Sequence, residues 1–274
     1  MFGLVPKPLW EKRCPPGPDN AIPQRCNVLL IHHPNGSLGL VDTGCGDPAW
    51  YPQKARALHQ LEPSWHLRQS LSDAQVDFAD IDWVLLSHAH WDHAGALLTP
   101  DGAPVFPNAT LHLRATEWAL ATGGDPLLYK SYPENIVRAL QTLKHRVHLV
   151  EDDHPEVLPG IHMYPAVGHT DGQACICFAH PELPGQPDCP AALFTGDNCP
   201  TQHHLRMVFQ TAYDTQPLQT RAWKRYWFPR CAKERIPLLF THDPDIYGAW
   251  IQPDPRQEYV ATPLPAPESA EVCA

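Results

Sequence analysis

The sequence predicts an α/β protein, and three observations carry that reading. The chain has 274 residues, 43% of them hydrophobic, which is enough to bury a substantial core. Short apolar runs alternate along it with stretches of helical spacing. Those runs also end, again and again, in a residue able to hold a cation: Asp42 after LGLV, His88 and His90 after WVLLS, His169 after YPAVG, Asp197 after ALFTG and His242 after PLLFT. Polar groups on loops just past rigid strands are the arrangement of a scaffolded site.

The elements follow in order. Residues 1–23 are proline-rich and are expected to wrap over the surface as an arm. The run from Cys26 to His33, the turn signal PNGS and the run LGLVD predict a β-hairpin. Its second strand ends in DTGCGD, a glycine-rich turn. Residues 64–76 have helical spacing, with Ser64 as N-cap. Residues 81–87, IDWVLLS, read as a buried strand that ends where a histidine cluster begins. Helices are expected at 115–121 and 135–144, and strands at 147–150, 161–164, 173–179 and 191–195. Residues 218–235 read as a helix kinked at Pro229, and 237–243 as a late strand. The tail 262–274 is rich in Pro and Ala and expected to be loose. No break in composition marks a second domain, so residues 1–274 read as one domain with an arm and a tail.

Composition narrows the function. The formal charge of -10 argues against a nucleic-acid partner, because phosphate binding needs a basic surface. Nine cysteines is an odd number and no C-x-x-C occurs, which fits reduced thiols in a cytosolic protein; Cys14 and Cys26 are the pair that could join. The N-terminus MFGLVPKPLWEKRCPP has no apolar h-region, and no segment is long enough to span a bilayer. The expectation is a soluble, cytoplasmic protein without a membrane partner, with VPKPLW in the arm as a possible homodimer contact.

The stretch SHAHWDHAG, residues 87–95, places His88, His90, Asp92 and His93 within six positions. Both residue types offer lone pairs to a cation. Zinc takes imidazole nitrogen and carboxylate oxygen at about 2.0–2.2 Å in roughly tetrahedral sites. His88 and His90 share a face if that segment is extended, since alternate side chains do. Asp92 and His93 lie past the turn and can face a second ion, and Gly95 is expected to relieve the backbone as the chain enters its next element. A lone histidine here would read as a solvated loop residue; H-x-H-x-D-H as a unit after an apolar strand reads as a metal motif.

H-x-H-x-D-H followed by an isolated His, an Asp and a final His resembles the metallo-β-lactamase superfamily, in the family's order, from LVDTG near residue 40 to THD near 242. The resemblance implies a four-layer αββα sandwich with a metal site at one edge between its sheets. Carried over by position, it implies that His88, His90 and His169 hold one ion, that Asp92, His93 and His242 hold a second, and that Asp197 bridges them. VGHTDGQ around His169 resembles the family's G-H-T-x-G segment, and FTGDN around Asp197 its apolar-G-D strand end. Asp42, in VDTG, resembles a residue that orients a ligand without binding metal. The donor set is rich in nitrogen and lacks cysteine, which suits two Zn2+ best and also accepts iron, manganese or cobalt. Cys45 and Cys199 read as small fillers. His203 and His204, in PTQHHL, read as pocket-lining residues or as a surface pair.

Two cations that share a water lower its pKa toward neutrality and polarise a carbonyl or phosphoryl oxygen. No G-x-S-x-G occurs. The expected reaction is hydrolysis by metal-bound hydroxide, with Asp92 and Asp197 as the catalytic carboxylates and Asp92 steering a proton. Within the superfamily the pattern resembles the branch of N-acyl-homoserine lactone lactonases and methyl parathion hydrolase, on Asp92-His93 and the late histidine. It departs where the lactonases carry a tyrosine shortly after the bridging aspartate, since Pro200 and Thr201 stand there instead. A small-molecule lactone or ester is the expected substrate. A phosphotriester, a thioester, or iron-dependent oxygen or sulfur chemistry are the alternatives. Residues 199–213, with Phe209 and Tyr213, are expected to wall an apolar pocket.

Overall fold

The computed structural model describes residues 2–17, 20–125, 127–128, 130–179 and 190–265. The chain forms two compact units, Val28–Leu149 and the chain up to Asn27 joined by the chain from Val150 onward. Each has its own sheet, helices and core.

Val28–Leu149 carries a five-stranded sheet of order β1-β2-β3-β4-β5. The expected hairpin is present: β1 (Leu29–His32) lies antiparallel to β2 (Leu38–Val41), with Leu29 opposite Val41. β3 (Trp83–Leu85) and β4 (Thr110–Arg114) then join in parallel, which requires a crossover between strands. Between β2 and β3 run α2 (Gln53–His59) and α3 (His66–Asp73). A parallel strand is covered on both faces, and every residue of β3 is buried, which accounts for the unbroken apolar run. β5 (Val147–Val150) closes the sheet. The core packs Leu40, Val84, Leu111 and Leu113 with Ile136, Ala139, Leu140 and Leu143. The last four recur at helical spacing along α6 (Glu134–Leu143); α5 (Ala115–Thr122) precedes it.

Two local readings need correction in this unit. Ser64 does not cap α3. Trp65 occupies that position without a side-chain hydrogen bond; its ring packs 5.0 Å from that of Trp50 and 5.1 Å from that of Phe78, so apolar contact anchors the helix start. α2 was not legible because it buries no residue and so shows no apolar stripe.

The second unit carries seven strands in the order β12-β11-β10-β9-β8-β7-β6. β6 (Glu156–Leu158), β7 (Ile161–Pro165), β8 (Ala174–Ala179) and β9 (Pro190–Phe194) form an antiparallel run. β10 (Leu238–Leu239) pairs in parallel with β9, across the connection that holds α7 (Pro217–Glu234). β11 (Gly248–Asp254) and β12 (Glu258–Pro263) complete the sheet as a hairpin. α7 places Trp223, Trp227, Phe228 and Cys231 in a core with Leu193, Leu238 and Ile251. Pro229 lies inside α7 and does not end it.

Here too the structure departs from the sequence reading. The late strand is two residues long, because Phe240 to Asp243 leave the sheet for the site. β12 extends to Pro263, so the tail begins as paired strand; residues 266–274 lie outside the described ones. The arm is part of a core: Phe2, Trp10 and Cys14 are buried together with Phe209, with Trp10 ending the short helix α1 (Lys7–Trp10). Within VPKPLW, Trp10 is buried and Leu9 is exposed. Cys14 and Cys26 are not joined to each other, and no disulfide links the described cysteines. Among the described residues no helix is long and apolar enough to cross a membrane.

His112 on β4 is 7% exposed. Burial, and then the His148 ring at 5.3 Å, push its pKa down to about 4. The unfolded chain takes up this proton near 6.5 while the folded chain resists it, so stability is full above about 6.5 and is lost as pH falls toward 4. His112→Leu is expected to flatten that fall by on the order of 2–3 kcal/mol. Urea melts at about pH 7 and 4.5 measure it, and an unchanged pH dependence in the variant counts against the assignment.

Candidate metal centre

In Val28–Leu149 the first histidine of the cluster, His88, lies three residues past the end of β3 at Leu85. His90 is the N-cap of α4 (Trp91–Ala94), so Asp92 and His93 fall in that helix's single turn. His88, His90 and His93 are all buried, with the His88 ring 4.5 Å from that of His90 and 4.0 Å from that of His93. Asp92 is the open member, 27% exposed.

Asp42 organises this cluster. One carboxylate oxygen accepts the Ser87 amide at 2.7 Å. The other accepts the Ser87 hydroxyl at 2.8 Å and the His93 Nδ1–H at 2.8 Å. Ser87 Oγ in turn lies 3.1 Å from His88 Nδ1. Thr43, the next residue, receives the backbone of the same turn: its amide and hydroxyl both donate to the His93 carbonyl, at 2.7 and 2.8 Å. Gly95 follows. Its φ of -67° is ordinary, so its role is close approach and not the conformational freedom expected: a Cβ there would lie 2.5 Å from the Cys45 carbonyl.

Residues that sequence reading missed hold the other side. Glu117 on α5 is fully buried and accepts the Ala89 amide at 2.9 Å and the Tyr132 hydroxyl at 2.7 Å. Tyr132 lies 5.0 Å from the His90 ring. The one signal available was a glutamate inside an otherwise apolar helical stretch.

The second unit brings together His169, Asp197 and His242. His169 Nε2 lies 3.5 Å from one oxygen of Asp197, and His242 Nε2 lies 3.3 Å from the other. Both distances exceed a normal charge-assisted hydrogen bond. They match two donors on one cation: ligands about 2.1 Å from a tetrahedral ion stand about 3.4 Å apart. The outer nitrogens are pinned. His169 Nδ1 faces Asp214 at 3.1 Å and Thr211 at 3.2 Å, and His242 Nδ1 donates to the Arg25 carbonyl at 2.6 Å. A ring held at Nδ1 by an acceptor presents Nε2 as its lone pair, which is how metal-ligating histidines are oriented. Thr241 donates to Asp197 at 2.9 Å, and Gln173 accepts the Asp197 amide at 2.9 Å. Gly168 precedes His169 with φ of +150°, and a Cβ on it would run into the Thr220 backbone of α7.

Other predicted positions fall differently. His204 is buried with its ring 4.8 Å from Phe2, its Nδ1 2.8 Å from Thr201 Oγ1, and its pKa pushed well down by burial. His203 is half-buried. Of the expected wall, Phe209 belongs to the core under the arm and Tyr213 is 75% exposed. Cys199 is a buried filler as expected, its thiol pushed up to about 12 by burial; Cys45 is only half-buried. Lys224 on α7 was not anticipated. It is fully buried, and its ammonium donates to the carbonyls of His204 at 2.8 Å and Phe209 at 2.5 Å. Burial pushes its pKa down to about 8.

Two sheets with their helices, and His and Asp clusters that could hold metal ions, fit an α/β protein of the metal-dependent hydrolase class. The chain belongs to the metallo-beta-lactamase superfamily, whose sequence profile matches residues 21–227, and the fold class is that of the family. No curated protein matches the chain significantly in sequence. Among solved structures, a probable metal-dependent hydrolase from Staphylococcus aureus is 27% identical with a TM-score of 0.82, over 96% of this chain and 91% of that one. The hydrolase AbOPH of the beta lactamase superfamily is 18% identical with a TM-score of 0.77, over 98% and 90%. AidC, a dizinc quorum-quenching lactonase in complex with a product, is 19% identical with a TM-score of 0.70, over 88% and 80%.

Asp42 reaches the histidine cluster through His93 and Ser87. Asp42→Asn keeps the size and removes the charge that holds the His93 tautomer. It is expected to weaken metal retention by about 10- to 100-fold with the far-ultraviolet circular dichroism unchanged. Competition with a chromogenic chelator measures this, and wild-type affinity in the variant would refute the role.

Proposed function

We propose that the chain is a dinuclear metallo-hydrolase acting on a lactone or ester. In this reading His88, His90 and His169 would hold one ion, Asp92, His93 and His242 the other, and Asp197 would serve both. The observation that carries this reading is the Asp197 carboxylate, with one pinned imidazole at ligand-to-ligand distance on each oxygen. Membership of the superfamily supports the seven-residue set, and its imidazole-rich donors suit zinc while also accepting iron, manganese or cobalt. Two divalent cations bound there supply an activated water and polarise the substrate oxygen.

The chain's own residues set the rest. Asp92 is the most open of the carboxylates, and the role assigned to it is to steer the proton of the attacking water or of the leaving group. Beside it Trp91 stands with the Tyr51 ring at 5.8 Å and the His59 ring at 4.6 Å, an aromatic surface suited to an apolar acyl or aryl group. The tyrosine of the lactonases has no counterpart in Thr201, whose hydroxyl is engaged with His204, or in Pro200, whose carbonyl accepts the His242 amide at 2.8 Å. His203 is the remaining donor in that segment. The substrate favoured is therefore an activated ester or a compact lactone, ahead of a long-chain acyl-homoserine lactone.

Asp197→Asn is expected to lower the metal retained per chain and to cut kcat/KM for a reactive aryl ester by at least ~100-fold, with folding checked by circular dichroism. Full metal content and activity in the variant would remove the bridge. Trp91→Ala is expected to raise KM for an apolar acyl ester roughly tenfold, the worth of about 1.5 kcal/mol of lost apolar contact, with kcat little changed. Elemental analysis alongside a panel of lactone, aryl ester, thioester and phosphotriester tests the reaction class. Iron in place of zinc, with oxygen consumption and no hydrolysis, would overturn it.

A further inference from the structure

We propose that the face formed by the N-terminal arm, residues 206–209 and the β11–β12 turn binds a small amphipathic anion, a carboxylate or phosphate head on an apolar chain. It shares no residue with the metal cluster and does not depend on the reaction assigned above. A cleft of about 710 Å³ opens there, within the range of small-molecule sites.

Its charge is the reverse of the protein's. Lys12, Arg13, Arg206 and Arg256 line it, in a chain of net charge -10. Among the described residues none of the four is in an ion pair. Two are held by neutral oxygens: Arg13 donates to the Gln257 side-chain carbonyl at 3.4 Å and Arg206 to the Arg256 carbonyl at 3.0 Å. The carboxylates of the same hairpin are occupied by backbone. Asp254 accepts the amides of Arg256 and Gln257, and Glu258 that of Met207. Four cations line one cleft and none is ion-paired among the described residues, which favours an anion there, and guanidinium groups match carboxylate and phosphate oxygens in geometry.

The rest of the lining is apolar apart from Gln257. Val5, Leu9, Val208 and Phe209 contribute to it, and Leu9 is 63% and Val208 38% exposed. A purely inorganic anion would leave that surface wet, and a neutral lipid would leave the cations unmatched. One ligand that satisfies both carries a charged head and a hydrocarbon chain. The cleft is also held in shape. Phe2 packs 5.4 Å from Trp10 and 4.7 Å from Phe209, which fixes the arm to the 206–209 wall, and the buried Lys224 ammonium ties that wall from behind. A preformed site loses less on binding than one that must be ordered.

The test uses the full chain and four probes below their micellar concentrations: decanoate, decyl phosphate, decanol and inorganic phosphate. Calorimetry is expected to show binding of both amphipathic anions, with decanol and inorganic phosphate at least about tenfold weaker. Lys12→Glu with Arg256→Glu reverses two exposed charges that anchor no core. This double variant is expected to weaken decanoate and decyl phosphate by at least about tenfold, with circular dichroism and ester hydrolysis unchanged. Equal binding by the variant, or decanol binding as well as decanoate, would overturn the proposal. So would sedimentation with phosphatidylglycerol vesicles in the absence of any binding to the monomeric anions, which would mark the face as a membrane surface instead.

Discussion

The carboxylate of Asp42 is buried against Ser87 and His93, and the geometry of the histidine cluster depends on what it accepts. Its two oxygens take three hydrogens, from the Ser87 amide, the Ser87 hydroxyl and His93 Nδ1. This determines which nitrogen of His93 keeps its lone pair, and through Ser87 it reaches His88. Asp42 itself sits at φ of +60°, a left-handed conformation that costs a non-glycine residue on the order of 1 kcal/mol. The amide bond to the Leu85 carbonyl at 2.8 Å ties that conformation to the end of β3, from which the cluster departs. Strain at the first loop and order at the second are thus one arrangement.

The same device recurs with different acceptors. Asp214 and Thr211 hold His169, and the carbonyl of Arg25 holds His242. Each acceptor comes from a segment remote in sequence from the histidine it serves, so each ring is aimed by tertiary structure. The Arg25 contact gives the N-terminal stretch a purpose. The Arg25 and Asn27 amides also donate to the carbonyls of His242 and Thr241, and this pairing replaces the longer strand that PLLFTHD suggested. Residues that leave a sheet in this way can turn their side chains toward a ligand, where a ladder would alternate them across two faces.

Buried charge has two uses in this chain. Glu117 holds the backbone of the His88–His90 segment from one side, and Lys224 holds the carbonyls of His204 and Phe209 from the other unit's core. Neither is a candidate ligand, and each satisfies backbone groups that an apolar residue would leave without partners. The segment that Lys224 fixes is the one that follows Asp197 and also faces the basic cleft, so one side chain supports a ligand loop on one side and a surface on the other.

The sequence by itself determined the alternation of strands and helices, the hairpin, and the ligand-type residues at the ends of apolar runs, because period and spacing are local properties. H-x-H-x-D-H was legible for the same reason: its four side chains are bound to one short segment whatever the rest does. It did not reveal α2, which buries nothing, or the burial of Phe2 and Trp10, since a proline-rich arm looks the same whether or not a cavity receives it. Ser87, Glu117, Asp214 and Lys224 were equally silent. Each is a common residue type whose importance lies in one contact with a distant segment, and only the folded chain decides which acceptor a histidine meets and which carbonyls an ammonium must satisfy.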